Sequence, residues 1–265
     1  MFLILSCQLT VAQDLEISKS PIISDRPGQH TEARTVGRGN FQLESGFKLL
    51  KESRYYRKEE EFHFPKIAIR YGLSNRFELR LQGQLQRNQA SYYSSAGQHL
   101  MDRNSGPGIN NIRLGTKFQI LNDIKNGNAL AVQFESKLPI ETDQFRSRFL
   151  EPELKLAFRK ELSGSFAFLL NVGFDIQDPG GDNIVLALSP IYAFTLQYSR
   201  NNFLIFSEVF GQANFGDAYQ HCFDFGAAYR FSDNLQLDAY TGFGLSEEAP
   251  DFFASVGISF RLPKN

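Results

Sequence analysis

The chain has 265 residues with 28 basic and 29 acidic side chains, a formal net charge of -1, so it exerts no long-range attraction on nucleic acid or anionic lipid. Its length suits one large all-β unit better than two small domains. Phe occurs 26 times and Trp not at all while the mean hydropathy is negative, and the longest apolar candidate, 184–196, is broken by Ser189 and Pro190, short of the about eighteen residues a spanning helix needs; an α-helical membrane protein is excluded.

In chain order, residues 1–12 (MFLILSCQLTVA) have an apolar core and end in Thr10, Val11 and Ala12, the small-x-small pattern that precedes a signal-peptidase cut. The basic n-region of a signal peptide is missing, as a start placed too late would leave it. Cys7 permits a rival reading as a lipoprotein cysteine, but Leu5 and Ser6 make an indifferent lipobox. A cut after Ala12 leaves Cys222 alone, which reads as a small packed residue rather than a disulfide or metal ligand. Residues 13–38 form a polar segment with Asp25, Arg26, His30, Glu32, Arg34 and Arg38. It is too polar to pack on lipid, and is either a mobile leader or a lumen plug in which Asp25 and Arg26 pair with charges such as Arg80 and Glu78.

From Gly39 the chain repeats one theme, about ten alternating residues followed by a turn, the period-2 signature of strands. About twelve units are expected over 39–265. Phe77, Leu79 and Leu81 oppose Glu78, Arg80 and Gln82; Ile112, Leu114 and Phe118 oppose Arg113, Gly115 and Lys117. Later, Phe223, Phe225, Ala227, Tyr229 and Phe231 oppose Asp224, Gly226, Ala228 and Arg230, and Leu235, Leu237, Ala239, Thr241 and Phe243 oppose Gln236, Asp238, Tyr240 and Gly242. A soluble β-sandwich alternates in the same way. Strand length argues for a membrane, because ten residues at roughly 3.3 Å each and a tilt near 40° climb about 25 Å, the height of an outer-membrane apolar band. So does loop asymmetry. Short turns at 73–75, 161–164, 199–202 and 232–234 alternate with long polar loops such as 88–108 and 139–149, although the turn at 122–128 is longer than that rule prefers. The chain ends on an aromatic strand face, Phe252, Ala254, Val256, Ile258 and Phe260. The expectation is an all-β, transmembrane, antiparallel up-and-down barrel in the outer membrane of a Gram-negative bacterium, with the short turns periplasmic.

The segment Ile22-Ile23-Ser24-Asp25-Arg26-Pro27-Gly28-Gln29, with Thr31-Glu32 after it and Phe41-Gln42-Leu43-Glu44-Ser45-Gly46-Phe47 beyond, resembles the opening of a bacterial barrel family named for a MetA pathway of phenol degradation. Its members open on a TDRP-x-QTES run and a Phe-Gln-x-Glu-x-Gly-Phe strand. Here Ser24 replaces the Thr and His30 interrupts the Gln-Thr-Glu run. Segments 71–80 and 237–245 look like the same family. The resemblance implies an outer-membrane transporter, in some members near aromatic degradation, and fixes no substrate.

With the apolar face on lipid, the opposite face is a lumen. Its candidate transport residues are Asp25, Arg26, Glu44, Lys66, Arg70, Glu78, Arg80, Arg113, Lys117, Glu135, Asp224, Arg230 and Asp238, with Lys48, Lys137, Glu153, Lys155 and Arg159 on the same face. Such mixed charge either conducts polar solutes or closes the lumen as a ladder of ion pairs. No catalytic residue, metal site or cofactor is expected. His30, His63, His99 and His221 lie in no serine-histidine motif, and Asp178 to Asp182 reads as a turn rather than a calcium loop. The expected activity is a channel or transporter for small molecules, including aromatic or other hydrophobic ones. The alternatives are a lipid-modifying enzyme with a Ser and His on the outer face, or a structural or adhesive barrel with a closed lumen. Expected partners are outer-membrane lipid and lipopolysaccharide, a small-molecule solute and the barrel assembly machinery, with no nucleic acid.

Overall fold

The computed structural model describes residues 20–123, 125–177, 187–213 and 219–263. The signal segment 1–12 with Cys7 and the turn 178–182 lie outside the described residues. Among those described are thirteen strands: β1 (Phe41–Arg54), β2 (Arg57–Gly72), β3 (Phe77–Tyr93), β4 (His99–Asn104), β5 (Gly108–Asp123), β6 (Asn128–Lys137), β7 (Glu151–Glu161), β8 (Phe166–Gln177), β9 (Ala187–Arg200), β10 (Phe203–Ala213), β11 (Tyr219–Ser232), β12 (Leu235–Gly244) and β13 (Phe252–Leu262). All but β4 close into a twelve-stranded antiparallel barrel, sealed where β13 pairs with β1 through Gly46 and Gly257. Closure pairs each of these twelve strands on both sides, the condition for crossing a bilayer in strands.

Burial settles which face is inside. Leu114, Phe134 and Val256 are 54%, 50% and 56% exposed, whereas Arg70, Glu78 and Lys117 are each 0% exposed. This inverts the distribution in a water-soluble protein, and the exposed apolar band is the surface that lipid covers. The turns expected to be short join β2 to β3, β7 to β8, β9 to β10 and β11 to β12 at one rim, and the β5 to β6 turn joins them there.

Two features depart from the expected pattern. Strands β1, β2 and β3 run to 14, 16 and 17 residues, because their outer halves are polar on both sides. There Lys51 pairs with Glu60 at 2.7 Å and Arg57 with Glu59 at 2.7 Å, so this part stands beyond the apolar band. In addition, the loop expected between residues 88 and 108 contains β4, which takes up the part of β3 that β5 is too short to reach. Bulges then adjust the inner face. On β2 the extra residues Phe64 and Pro65 let both Lys66 and His63 face inward although they differ in parity. On β5, Asn111 takes a φ of 55° at a similar irregularity opposite Gly83.

Candidate functional site in the barrel lumen

Residues 20–40 turn inward at the short-turn rim and run through the lumen. The fold-back passes so closely that a Cβ on Gly72 would lie 1.8 Å from the Gly37 carbonyl oxygen, and Gly37 itself has a φ of 82°, so both positions are held to glycine. A polar segment here replaces water as the partner of the charged inner wall. Lys117 Nζ donates to Glu32 O at 2.8 Å and the Val36 amide donates to Glu78 at 2.9 Å.

The largest cluster joins this segment to β1, β2, β3, β5 and β6. Asp25 meets Arg80 at 2.7 Å, Lys117 at 3.5 Å and Arg70 at 3.6 Å. Glu78 binds Arg70 and Arg80, each at 2.8 Å; Glu44 binds Arg70 at 2.9 Å and Glu135 binds Arg80 at 2.7 Å. Seven of the expected site residues, Asp25 among them, thus form one network. Arg26 pairs not with Glu78 but with Asp238, through Nε at 3.1 Å and Nη2 at 2.8 Å. Its guanidinium lies over paired Gly46 and Gly257, where a Cβ would come within 2.8 and 2.2 Å of it. The long-range choice of partner follows from barrel register, which places Asp238 beside Gly257 on β13.

Further along, the Gln29 and His30 amides donate to Glu208 on β10 at 2.7 and 3.1 Å, and Thr195 on β9 donates to the same carboxylate at 2.6 Å. Thr31 exchanges two hydrogen bonds with Asn171 on β8, at 2.5 and 3.0 Å, and Glu32 meets Arg159 on β7 at 3.1 Å. Burial pulls the His30 imidazole toward the neutral form, but the Glu208 carboxylate outweighs it and raises its pKa above the ordinary value. Burial likewise opposes charge on Asp25, yet Arg70, Lys117 and Arg80 hold it well below the usual carboxylate range. The segment is therefore docked as a charged strip against a charged wall.

Of the remaining expected residues, Arg113 reaches Glu153 at 3.4 Å and Asp175 at 3.3 Å. Asp224 lies opposite Glu208 in the β10–β11 ladder, and Arg230 lines a cavity at the short-turn end. Lys66 joins none of these clusters. Glu208 escapes sequence reading because β10 is largely apolar on both faces; Leu204, Phe206 and Phe210 share the inner face with Glu208, so alternation gives no parity. These inner apolar residues pack with Cys222, Tyr240 and Phe253.

The segment divides the lumen. On the long-loop side lie cavities of 330 and 210 Å³ that share Gln29, Glu153, Lys155, Ile191 and Gln212 and so form one outer chamber. At the short-turn rim a separate space of 200 Å³ is lined by Ile22, Arg34, Arg159, Ser199 and Arg230, with no lining residue in common. The four histidine rings are engaged by Glu208, Glu61, Asp102 and Tyr192.

Among solved structures, the chain is similar to an outer-membrane channel from Pseudomonas putida F1, with 15% identity and a TM-score of 0.67 over 89% of this chain and 100% of that one. It is also similar to the KdgM porin (9% identity, TM-score 0.51, 83% of this chain and 98% of that one) and the NanC porin (10%, 0.51, 84% and 100%). At such identity these likenesses speak for the fold, that of an outer-membrane barrel. No curated protein matches the sequence. The family model described as "Putative MetA-pathway of phenol degradation" matches residues 24–262, lumen segment and barrel together, and the chain belongs to that family.

Proposed function

We propose that this barrel is an outer-membrane channel for small molecules and that residues 20–38 are its gate. The observation that carries this reading is the division of the lumen into two chambers by a segment held through side chains rather than through the barrel ladder. A wall closed by a continuous backbone hydrogen-bond ladder, with a partition held apart from that ladder, is a construction that can open without unfolding. The outer chamber, 330 Å³ in its larger part, sits at the low end of the roughly 300–1,000 Å³ typical of small-molecule pockets, which restricts the solute to small size. The similar barrels named above carry the words channel and porin in their descriptions, and the family description points to aromatic degradation as the setting.

Deletion of residues 20–38 leaves every strand intact, so the variant should assemble and show the heat-modifiable migration of a barrel. Its single-channel conductance in a planar bilayer should exceed that of the parent several-fold, since a lumen of mixed charge then fills with water. A correctly assembled deletion variant with unchanged conductance would show that residues 20–38 do not gate the lumen. A deletion variant that conducts nothing would favour a structural barrel.

A further inference from the structure

The outer chamber is chemically two-sided. Each carboxylate on its wall already has a cation: Asp25 and Glu135 have Arg80, Glu44 has Arg70, Glu153 has Lys155 at 2.9 Å, and Asp175 has Arg113. Lys66 alone among the lining cations faces no carboxylate among the described residues. The strongest charge contacts on it, from Lys48, Arg26, Lys155 and Arg113, are all positive. Lys66 shares the parity of Ala68 and Arg70 in an unbroken register, which turns its ammonium into the chamber rather than toward lipid. Across the shared residues Lys155 and Ile191, the adjoining lobe has an apolar side of Ile191, Ala193, Phe210 and Cys222 beside the polar Asn171 and Gln220.

An uncompensated ammonium among like charges favours an anion, and the partial exclusion of water strengthens a charge-assisted contact there. An apolar wall on the facing side of the lumen favours a hydrocarbon body over water. We propose that the outer chamber binds a small monocarboxylate with an apolar body, the carboxylate on Lys66 and the body against Ala193 and Phe210. A dianion is disfavoured, because Arg113 and Lys155 are already paired with Glu153 and Asp175. An uncharged solute gains a hydrogen bond from Lys66 but no charge pairing.

The inference rests on the channel reading for its biological use, but binding can be measured without conductance. Equilibrium dialysis of the purified full chain in detergent, with radiolabelled benzoate, acetate and benzyl alcohol as probes, isolates the two halves of the site. Benzoate should bind at least about tenfold more tightly than either acetate, which lacks the body, or benzyl alcohol, which lacks the charge. Lys66→Met should reduce benzoate binding by about tenfold or more and weaken benzyl alcohol far less. Equal binding of benzoate and benzyl alcohol by the unaltered protein overturns the anion site, whether or not the variant folds. Equal binding of acetate and benzoate overturns the apolar lobe. Benzoate binding by a protein that never conducts would uphold the site while removing the channel.

Discussion

At the scale of single residues, the lumen is organised by where side chains are missing as much as by where charges are present. Arg26 reaches Asp238 because β1 and β13 each present a glycine beneath its guanidinium, Gly46 and Gly257. Gly257→Val would put a branched side chain where the guanidinium lies, so it should expel Arg26 as effectively as Arg26→Ala removes it. Either change leaves Asp238, 6% exposed, without its cation, and breaking a buried pair from one side costs about 3–5 kcal/mol. Both variants should therefore loosen residues 20–38 and raise single-channel conductance, while Gly257→Ser, which adds less bulk, should do so to a smaller degree. If Gly257→Val assembles and conducts as the parent does, the Arg26 contact does not hold the gate.

At the scale of elements, a strand of this barrel is a two-sided object whose tolerance for charge depends on facing. On β9, Phe194 is 46% exposed on the lipid side, and Ile191 faces the outer chamber. Phe194→Arg should impair insertion, since an Arg on the lipid face near mid-membrane costs roughly 2–4 kcal/mol, whereas Ile191→Arg can stay hydrated and should assemble normally. Heat-modifiable migration of the two variants compares them directly; failure of Ile191→Arg alone would mean the faces are reversed, and equal assembly would mean that the two faces do not meet different surroundings. Gln236 would be a poorer control, because it is 1% exposed and donates to the Arg26 carbonyl. How far the sequence discloses such elements depends on contrast between faces. Strands β11, β12 and β13 alternate cleanly and are legible residue by residue. On β10 the inner face carries Phe206 beside Glu208, so the carboxylate that holds His30 is invisible. The Phe64–Pro65 bulge shifts parity within β2, and β4 is short and exposed on both sides, which leaves no period to find. Pairings such as Arg26 with Asp238 span 212 residues and follow from closure of the sheet, which no local pattern contains.

At the scale of the whole molecule, an even number of strands returns the start of β1 and the end of β13 to one rim, the rim of the short turns, where residues 20–40 also enter. A chain exported to the periplasm and inserted from that side leaves its ends there, so this rim should be periplasmic and the long hairpins of β1 to β4 should stand outside the cell. The outer chamber, with Lys66 and Lys155, would then meet solute first, and the segment 20–38 would separate it from the periplasmic space beside Ser199 and Arg230. Two exposed positions report on this directly: Ser95 in the loop before β4 and Asn202 in the turn after β9. Cys222 is buried and free, so it should stay silent toward a bulky, membrane-impermeant maleimide. In intact cells that reagent should label Ser95→Cys and spare Asn202→Cys, and disruption of the outer membrane should expose both. Labelling of Asn202→Cys alone in intact cells would invert the barrel and put the chamber on the periplasmic side, while equal labelling of both would show that the two rims do not face different compartments.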